Sequence, residues 1–330
     1  MLERVAVSDR HSSTSTLTQQ RAACARLRPK HSTFQGTSMR LMLSLSLSAA
    51  LLLPACVQAA PPVSVGPQYD TTHVYVAPDD VDAFARSFAA TFEGQSTRQV
   101  IATVTPTPSS TSSQLVQTKA GTVSLFGFRT PIPYPFGLER TGYLVTDMDQ
   151  AIAAARAAGA EVLVEPFKDP IGRDAVIAWP GGVTMQLYWH DTAPHYAPLA
   201  TIPENRVYVS RDRADAFTAA WLAFSHGKVV SDDREADAVL IGRPGDTYRS
   251  ILIRSGFGDV HVLVTDGHLP YPYGRELTGY AVQDLEATLA RATASGAKVL
   301  VPAVAGAHRR SAMVRFPGGY IAELHADTPL

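Results

Sequence analysis

Few side chains in this sequence can do chemistry, and they fall into two groups. Glu323 and His325 stand two apart in the run IAELH, so on a strand they share one face. A carboxylate and an imidazole placed so can ligate a divalent ion or pass a proton. His261, in DVHVLV, can serve as a further ligand. The other group is His73, Tyr75, Arg140 and Gln186. His73, in TTHVYV, alternates with Val74 and Val76 and so faces away from the apolar side of its strand. Its imidazole can bind metal, accept a proton, or line a polar cup beside Tyr75 or Gln186. Gln186 is a weak oxygen ligand. Arg140 carries a permanent charge that repels a metal and suits a carboxylate or phosphate, or else a salt bridge to Glu139. No Walker loop, dinucleotide glycine fingerprint, G-x-S-x-G elbow or H-E-x-x-H run occurs.

The elements that must position these residues occur twice. PYPFGLERTGYLVTDMDQAIAAARAAGAEVLVEP, from Pro133, returns as PYPYGRELTGYAVQDLEATLARATASGAKVLVP, from Pro270, at an offset of 137 residues without a gap. The later AWPGGVTMQLY and RFPGGYIAELH stay in the same register. Upstream, TTHVYVAPDDVDAFARSFAAT and ENRVYVSRDRADAFTAAWLAF align at an offset of 133. The boundaries that follow are a leader over 1–60, a first half over 69–192, a linker over 193–203 and a second half over 204–330.

Within each half the same order of elements is predicted twice. Strands begin near Thr72, Arg140, Arg206 and Thr278, and each is followed by a helix with apolar residues at three-to-four spacing. Asp79 and Asp80 are expected to cap the first helix, and Asp147 or Asp149 the second. Three strands follow each helix. In the first unit these are Gln99–Thr105, Gln114–Thr118 and Thr122–Phe128, with Pro106–Ser113 as a loop. The third unit is expected to hold a short strand at Lys228–Val230 and another at Val239–Ile241. The units are expected to pair as 71–128 with 139–190, and 205–265 with 276–326.

Composition narrows the function classes. Leu41 to Leu53 reads LMLSLSLSAALLL after Met39-Arg40, the build of a secretory signal running from 39 to about 55–60. It is too short to span a bilayer as a helix. Leu53-Pro54-Ala55-Cys56 resembles a lipobox with a lipid anchor at Cys56, and Val57-Gln58-Ala59 suits ordinary cleavage. An exported protein, periplasmic or membrane-anchored as a lipoprotein, is expected. Cys24 and Cys56 are the two cysteines, so the remainder has no thiol chemistry. Seven basic and two acidic residues precede Val57, which leaves a formal net charge of about −6 downstream. No basic stripe with interleaved aromatics argues for nucleic acid, and no transmembrane stretch follows the leader.

With those motifs in view, residues 71–326 resemble a tandem member of the vicinal oxygen chelate superfamily, the glyoxalase, bleomycin-resistance and extradiol-dioxygenase group. The resemblance implies an α+β fold: four βαβββ units paired into two glyoxalase-like domains. Each domain would be an open curved sheet forming a cup, with helices outside. Family members bind divalent metals in the cup, or use a metal-free cup for small molecules. The implied ligand positions fall on His73, near Ser124, on Arg140 and on Gln186 in the first half. In the second they fall near Arg206, near His261, at about Leu277 and on Glu323. Neither set is the two-histidine, one-carboxylate triad.

The expectation drawn is a cup that binds a small polar or anionic molecule, its metal site degenerate. His73, Tyr75, Arg140, Gln186 and Arg206 are its expected contacts. The alternative is a lyase, isomerase or dioxygenase that uses one divalent metal ion. Glu323, His261 and His325 would hold that ion, and His325 would transfer the proton. A structural or partner-binding lipoprotein is the third reading. A buried Glu323–Arg206 pair is the bland expectation for the second cup.

Overall fold

The computed structural model describes residues 62–328. The leader, with its signal run and Cys56, lies outside the described residues. In the first half the chain forms β1 (Thr71–Tyr75), α1 (Val81–Thr91), β2 (Gln95–Ser96), β3 (Val100–Ala102), β4 (Thr111–Gln117) and β5 (Thr122–Phe128). It then repeats the pattern as β6 (Arg140–Leu144), α2 (Met148–Ala157), β7 (Glu161–Lys168), β8 (Gly172–Trp179) and β9 (Val183–His190). The second half gives β10 (Glu204–Val209), α3 (Ala214–Ser225), β11 (Lys228–Asp237), β12 (Thr247–Ser255) and β13 (Gly258–Val264). It closes with β14 (Thr278–Ala281), α4 (Leu285–Ala294), β15 (Lys298–Ala305), β16 (Arg309–Arg315) and β17 (Ile321–Asp327).

Each half makes one curved sheet from two βαβββ units. The first runs β2-β4-β5-β1-β6-β9-β8-β7, and the second β11-β12-β13-β10-β14-β17-β16-β15. The two units of a half meet at an antiparallel pair, β1 with β6 and β10 with β14. The Pro180-Gly181-Gly182 turn brings β8 back onto β9, and both its glycines take positive φ, 95° and 79°. A side chain there would be strained, which is why Gly-Gly recurs at Gly318-Gly319.

The two sheets stand back to back, with helices layered against their convex faces. α1 packs against α4, and α2 against α3. Phe84, Phe88 and Phe92 of the first half bury themselves against Tyr280, Phe316 and Tyr320 of the second. On the other side, Tyr143 and Trp179 meet Trp221, Phe224 and Phe257. Each such ring contributes roughly 1.5–3 kcal/mol by leaving water. Between these cores runs a polar seam. Thr72 Oγ1 lies 2.7 Å from Thr278 Oγ1, Thr141 donates to Asn205 at 3.0 Å, and Asn205 donates to the Tyr143 hydroxyl at 2.6 Å. Because strand residues alternate, Thr72 and Asn205 turn His73 and Arg206 to the opposite, concave faces. The two cups therefore open on opposite sides of the molecule.

The local chemistry sets several boundaries. Asp147 caps α2 by accepting from Gln150 N at 2.8 Å, and Asp284 caps α4 from Ala287 N at 2.9 Å. Asp79 and Asp80 make no capping hydrogen bond; a 3-10 turn over Pro78–Asp80 leads into α1 instead. The expected strand Gln99–Thr105 shortens to β3, with β2 as a separate two-residue strand before it, and the expected loop before Gln114 joins β4 from Thr111 onward. Val239–Ile241 is not a strand. Asp237 accepts from Val239 N at 2.9 Å and Gly242 ends the segment in left-handed conformation, which winds it into a 3-10 turn. In exchange β11 extends to Asp237 as an exposed, charged edge, the kind that resists pairing with another chain. No described helix is long and apolar enough to cross a membrane.

Candidate functional site

The first cup is floored by β1, β6 and β9. Its cavity of about 210 Å³ is bordered by His73, Tyr75, Gln114, Asp174 and Gln186, with Phe126, Phe136 and Tyr188 as apolar walls. The glycine of the repeated TGY motif supports the floor. A Cβ on Gly142 would come within 2.4 Å of His73 Nε2, closer than real contacts allow. His73 is 4% exposed. Burial drives its pKa down to about 3, the charge of Arg140 adds to this, and Gln186 partly opposes. The ring is therefore neutral at ordinary pH. Its Nδ1 has no hydrogen-bond partner among the described residues, and neither has Gln114 Oε1. Asp174 is pushed up to about 8, first by burial and then by Asp169, so it holds its proton at neutral pH.

Arg140 lies beneath this cup and does not border the cavity. It is buried, 1% exposed. Nε donates to Gln186 Oε1 at 3.1 Å, Nη1 to the carbonyls of Pro135 and Leu138 at 3.3 and 2.9 Å, and Nη2 to Tyr75 at 2.8 Å. The guanidinium is flanked by the rings of Tyr75 at 5.5 Å and Phe136 at 5.3 Å. All four acceptors are neutral. The expected salt bridge to Glu139 is not made; that carboxyl is half-buried, and burial raises it to about 7.

The second cup, with a cavity of about 370 Å³, is bordered by far more charge. Glu204 receives a two-pronged contact from Arg309, 2.8 Å for each bond. His261 turns Nε2 to Ser250 Oγ at 2.7 Å, and its Nδ1 lies 3.4 Å from Glu204. It does not meet Glu323. The oxygens of Glu323 are taken by Ser311 and by His325 Nδ1, the latter at 2.7 Å. Burial opposes charge on Glu323, but His325 and Arg206 outweigh it and hold the carboxyl down to about 2. Burial likewise opposes charge on His325, yet Glu323 raises its pKa above the usual value. Gly279 sits below this pair as Gly142 sits below His73; a Cβ there would lie 2.5 Å from Glu323 Oε2.

Arg206 does not pair with Glu323 as expected. Its Nε bonds Glu276 at 3.2 Å, and Tyr208 donates to the same carboxylate. Glu276 stands in a loop, where no periodicity marks it; its only signal is the 137-residue offset from Glu139. Glu204 and Arg309 were also outside the expected set. They belong to strands whose facing becomes legible only once the register is known.

A divalent ion does not fit either cup. Among the described residues no three His, Cys, Asp or Glu side chains converge as a metal-ligating group. In the first cup Gln186 spends its oxygen on a guanidinium. In the second both oxygens of Glu323 are occupied, and Arg206 and Arg309 border the space.

The duplicated architecture has solved counterparts. A 4-hydroxymandelate synthase mutant from Streptomyces coelicolor superposes with a TM-score of 0.54 at 12% identity, over 82% of this chain and 94% of that one. A 2,2',3-trihydroxybiphenyl 1,2-dioxygenase from Sphingomonas wittichii gives 0.50 at 14% identity, over 81% and 91%. The likeness is one of fold. No family model matches the sequence, and no curated protein does.

Proposed function

We propose that the first half binds a small polar molecule in its cup without a metal ion. In the second half Glu204, Glu276 and Glu323 are already paired with Arg309, Arg206 and His325, although His261 Nδ1 there is left without a hydrogen-bond partner among the described residues. The observation that carries this reading is the pair of unsatisfied atoms beside the first cavity, His73 Nδ1 and Gln114 Oε1. Each buried polar group left unmade costs about 1–3 kcal/mol, which a ligand that meets it recovers. Phe126, Phe136 and Tyr188 supply the apolar surface that such sites combine with a few fixed polar groups. In this reading the protein works after export, released near Ala59 or anchored by lipid at Cys56. The run Leu41–Leu53 after Met39-Arg40 supports export.

Thermal denaturation across a panel of small polar compounds tests the cup, with His73→Phe and Gln114→Leu beside the wild type. At least one compound class should raise Tm, and both variants should lose that response. Stabilisation by divalent ions alone, or a compound response that survives both substitutions, would refute the reading. The mass of the mature N-terminus tests export.

A further inference from the structure

The repeat gives the first cup an internal counterpart in the second. Tyr75 and Tyr208 are equivalent at the 133-residue offset, and each hydroxyl accepts from a buried guanidinium: Arg140 at 2.8 Å and Arg206 at 3.4 Å. The guanidiniums come from different strands, β6 and β10, yet meet equivalent hydroxyls. Around Arg206 stand two carboxylates, Glu276 in contact and Glu323 acting through its charge. Their equivalents at the 137-residue offset are Glu139, which makes no bond to Arg140, and Gln186, which is neutral. The second cup thus sets a carboxylate in contact with its buried cation, whereas every contact of the first cup's Arg140 is neutral. We infer that the natural ligand of the first cup is a small carboxylate-bearing molecule whose negative charge supplies the counter-ion that Arg140 lacks. This rests on the reading of the first cup as a ligand site.

The anion need not touch Arg140. Tyr75 accepts from Arg140, which leaves its own O–H free to donate, and it borders the cavity. Gln186 gives its oxygen to Arg140 and borders the cavity, so its amide nitrogen is a second donor available at that wall, beside His73 and Asp174. Asp174 in its protonated form is a third donor at the cavity wall. Donors polarised by a buried cation in a water-poor pocket favour an anion over its neutral isostere. The aromatic walls favour a flat apolar body behind the carboxylate.

Benzoate and benzamide form a matched pair of probes that differ in charge. In calorimetric titration and thermal denaturation at pH 7, benzoate should bind the wild type at least tenfold more tightly than benzamide. Gln186→Glu places a carboxylate on Arg140 Nε with almost no change of shape. That variant should have a higher ligand-free Tm and should lose the preference for benzoate. Arg140→Met should lose the preference too, and if it fails to fold Gln186→Glu still decides the matter. Equal binding of the two probes overturns the inference, as does a benzoate preference that persists in Gln186→Glu. If only uncharged compounds occupy the cup, the charge inference fails while the ligand site stands. If no compound of any charge occupies it, both fail.

Discussion

Replacing Glu276 by Gln removes one charge from a pair whose side chains are 3% and 0% exposed, Arg206 and Glu276 respectively. Shape and hydrogen-bonding capacity are nearly kept, so the effect isolates charge. Breaking a buried pair from one side typically costs about 3–5 kcal/mol, because the remaining ion stays buried without its partner. Glu323 still acts on Arg206 through its charge, which places the expected loss near 3 kcal/mol, the lower end of that range. For a cooperative unit of this size each kcal/mol is worth roughly 2–4 °C, so Tm should fall by about 6–12 °C. Glu139→Gln is the matched control. Glu139 holds no ion pair with Arg140, so its substitution should shift Tm by no more than about 2 °C, the scale of a surface change. Differential scanning calorimetry of the two variants at pH 7 measures both. If Glu276→Gln and Glu139→Gln melt at the same temperature, the two halves do not differ in charge balance, and the argument built on that difference collapses.

Gly142→Ala should force His73 off its position, because the added methyl would sit 2.4 Å from Nε2. A loss of roughly 1–3 kcal/mol is expected, together with the ligand-induced rise in Tm; an unchanged melt would show that the cup floor gives way freely. His325 has a folded pKa above its unfolded value, so its contribution is full below about pH 6.5 and is lost as pH rises through the folded pKa. Glu323 runs the other way: its contribution is present above about pH 4.5 and is lost as pH falls toward about 2. Urea unfolding across pH should show both slopes, and His325→Gln should flatten the alkaline one; an alkaline slope unaltered by that substitution would assign it to another group. Titration with manganese or zinc should give the same weak binding in the wild type and in Glu323→Ala. Tight binding lost in the variant would restore the metal site that the donor geometry argues against.

Much of the architecture was legible because the repeat imposes it. The TGY and PGG motifs recur in register, and each marks a place where only glycine suits the backbone or its neighbour. Alternation along TTHVYV was enough to turn His73 into the cup. What could not be read was pairing between side chains far apart in the chain. Arg206 and Glu276 are separated by 70 residues, and nothing local distinguishes Glu276 from an ordinary loop carboxylate. For the same reason Glu323 was assigned to Arg206 when Ser311 and His325 lie closer. Val239–Ile241 misled because three apolar residues suit a strand, while Asp237 before them and Gly242 after them wind the backbone instead. The position of Arg140 beneath the cup, between Tyr75 and Phe136, depends on rings from two separate elements.

The shared cores have a consequence for how such a molecule can evolve. Phe84, Phe88 and Phe92 leave water against the opposite half, and so do Trp221 and Phe257. A half cut from the chain would carry the helix-bearing face of its sheet bare, an apolar surface rimmed by the hydroxyls of the former seam. Such a surface is self-complementary across a two-fold axis, so an isolated half should pair with a second copy of itself. Covalent linkage frees the chain from that symmetry. Once both copies reside in one polypeptide, each cup can change its charges without the same change appearing in the other, and one half can keep its ion pairs closed while its twin stays open.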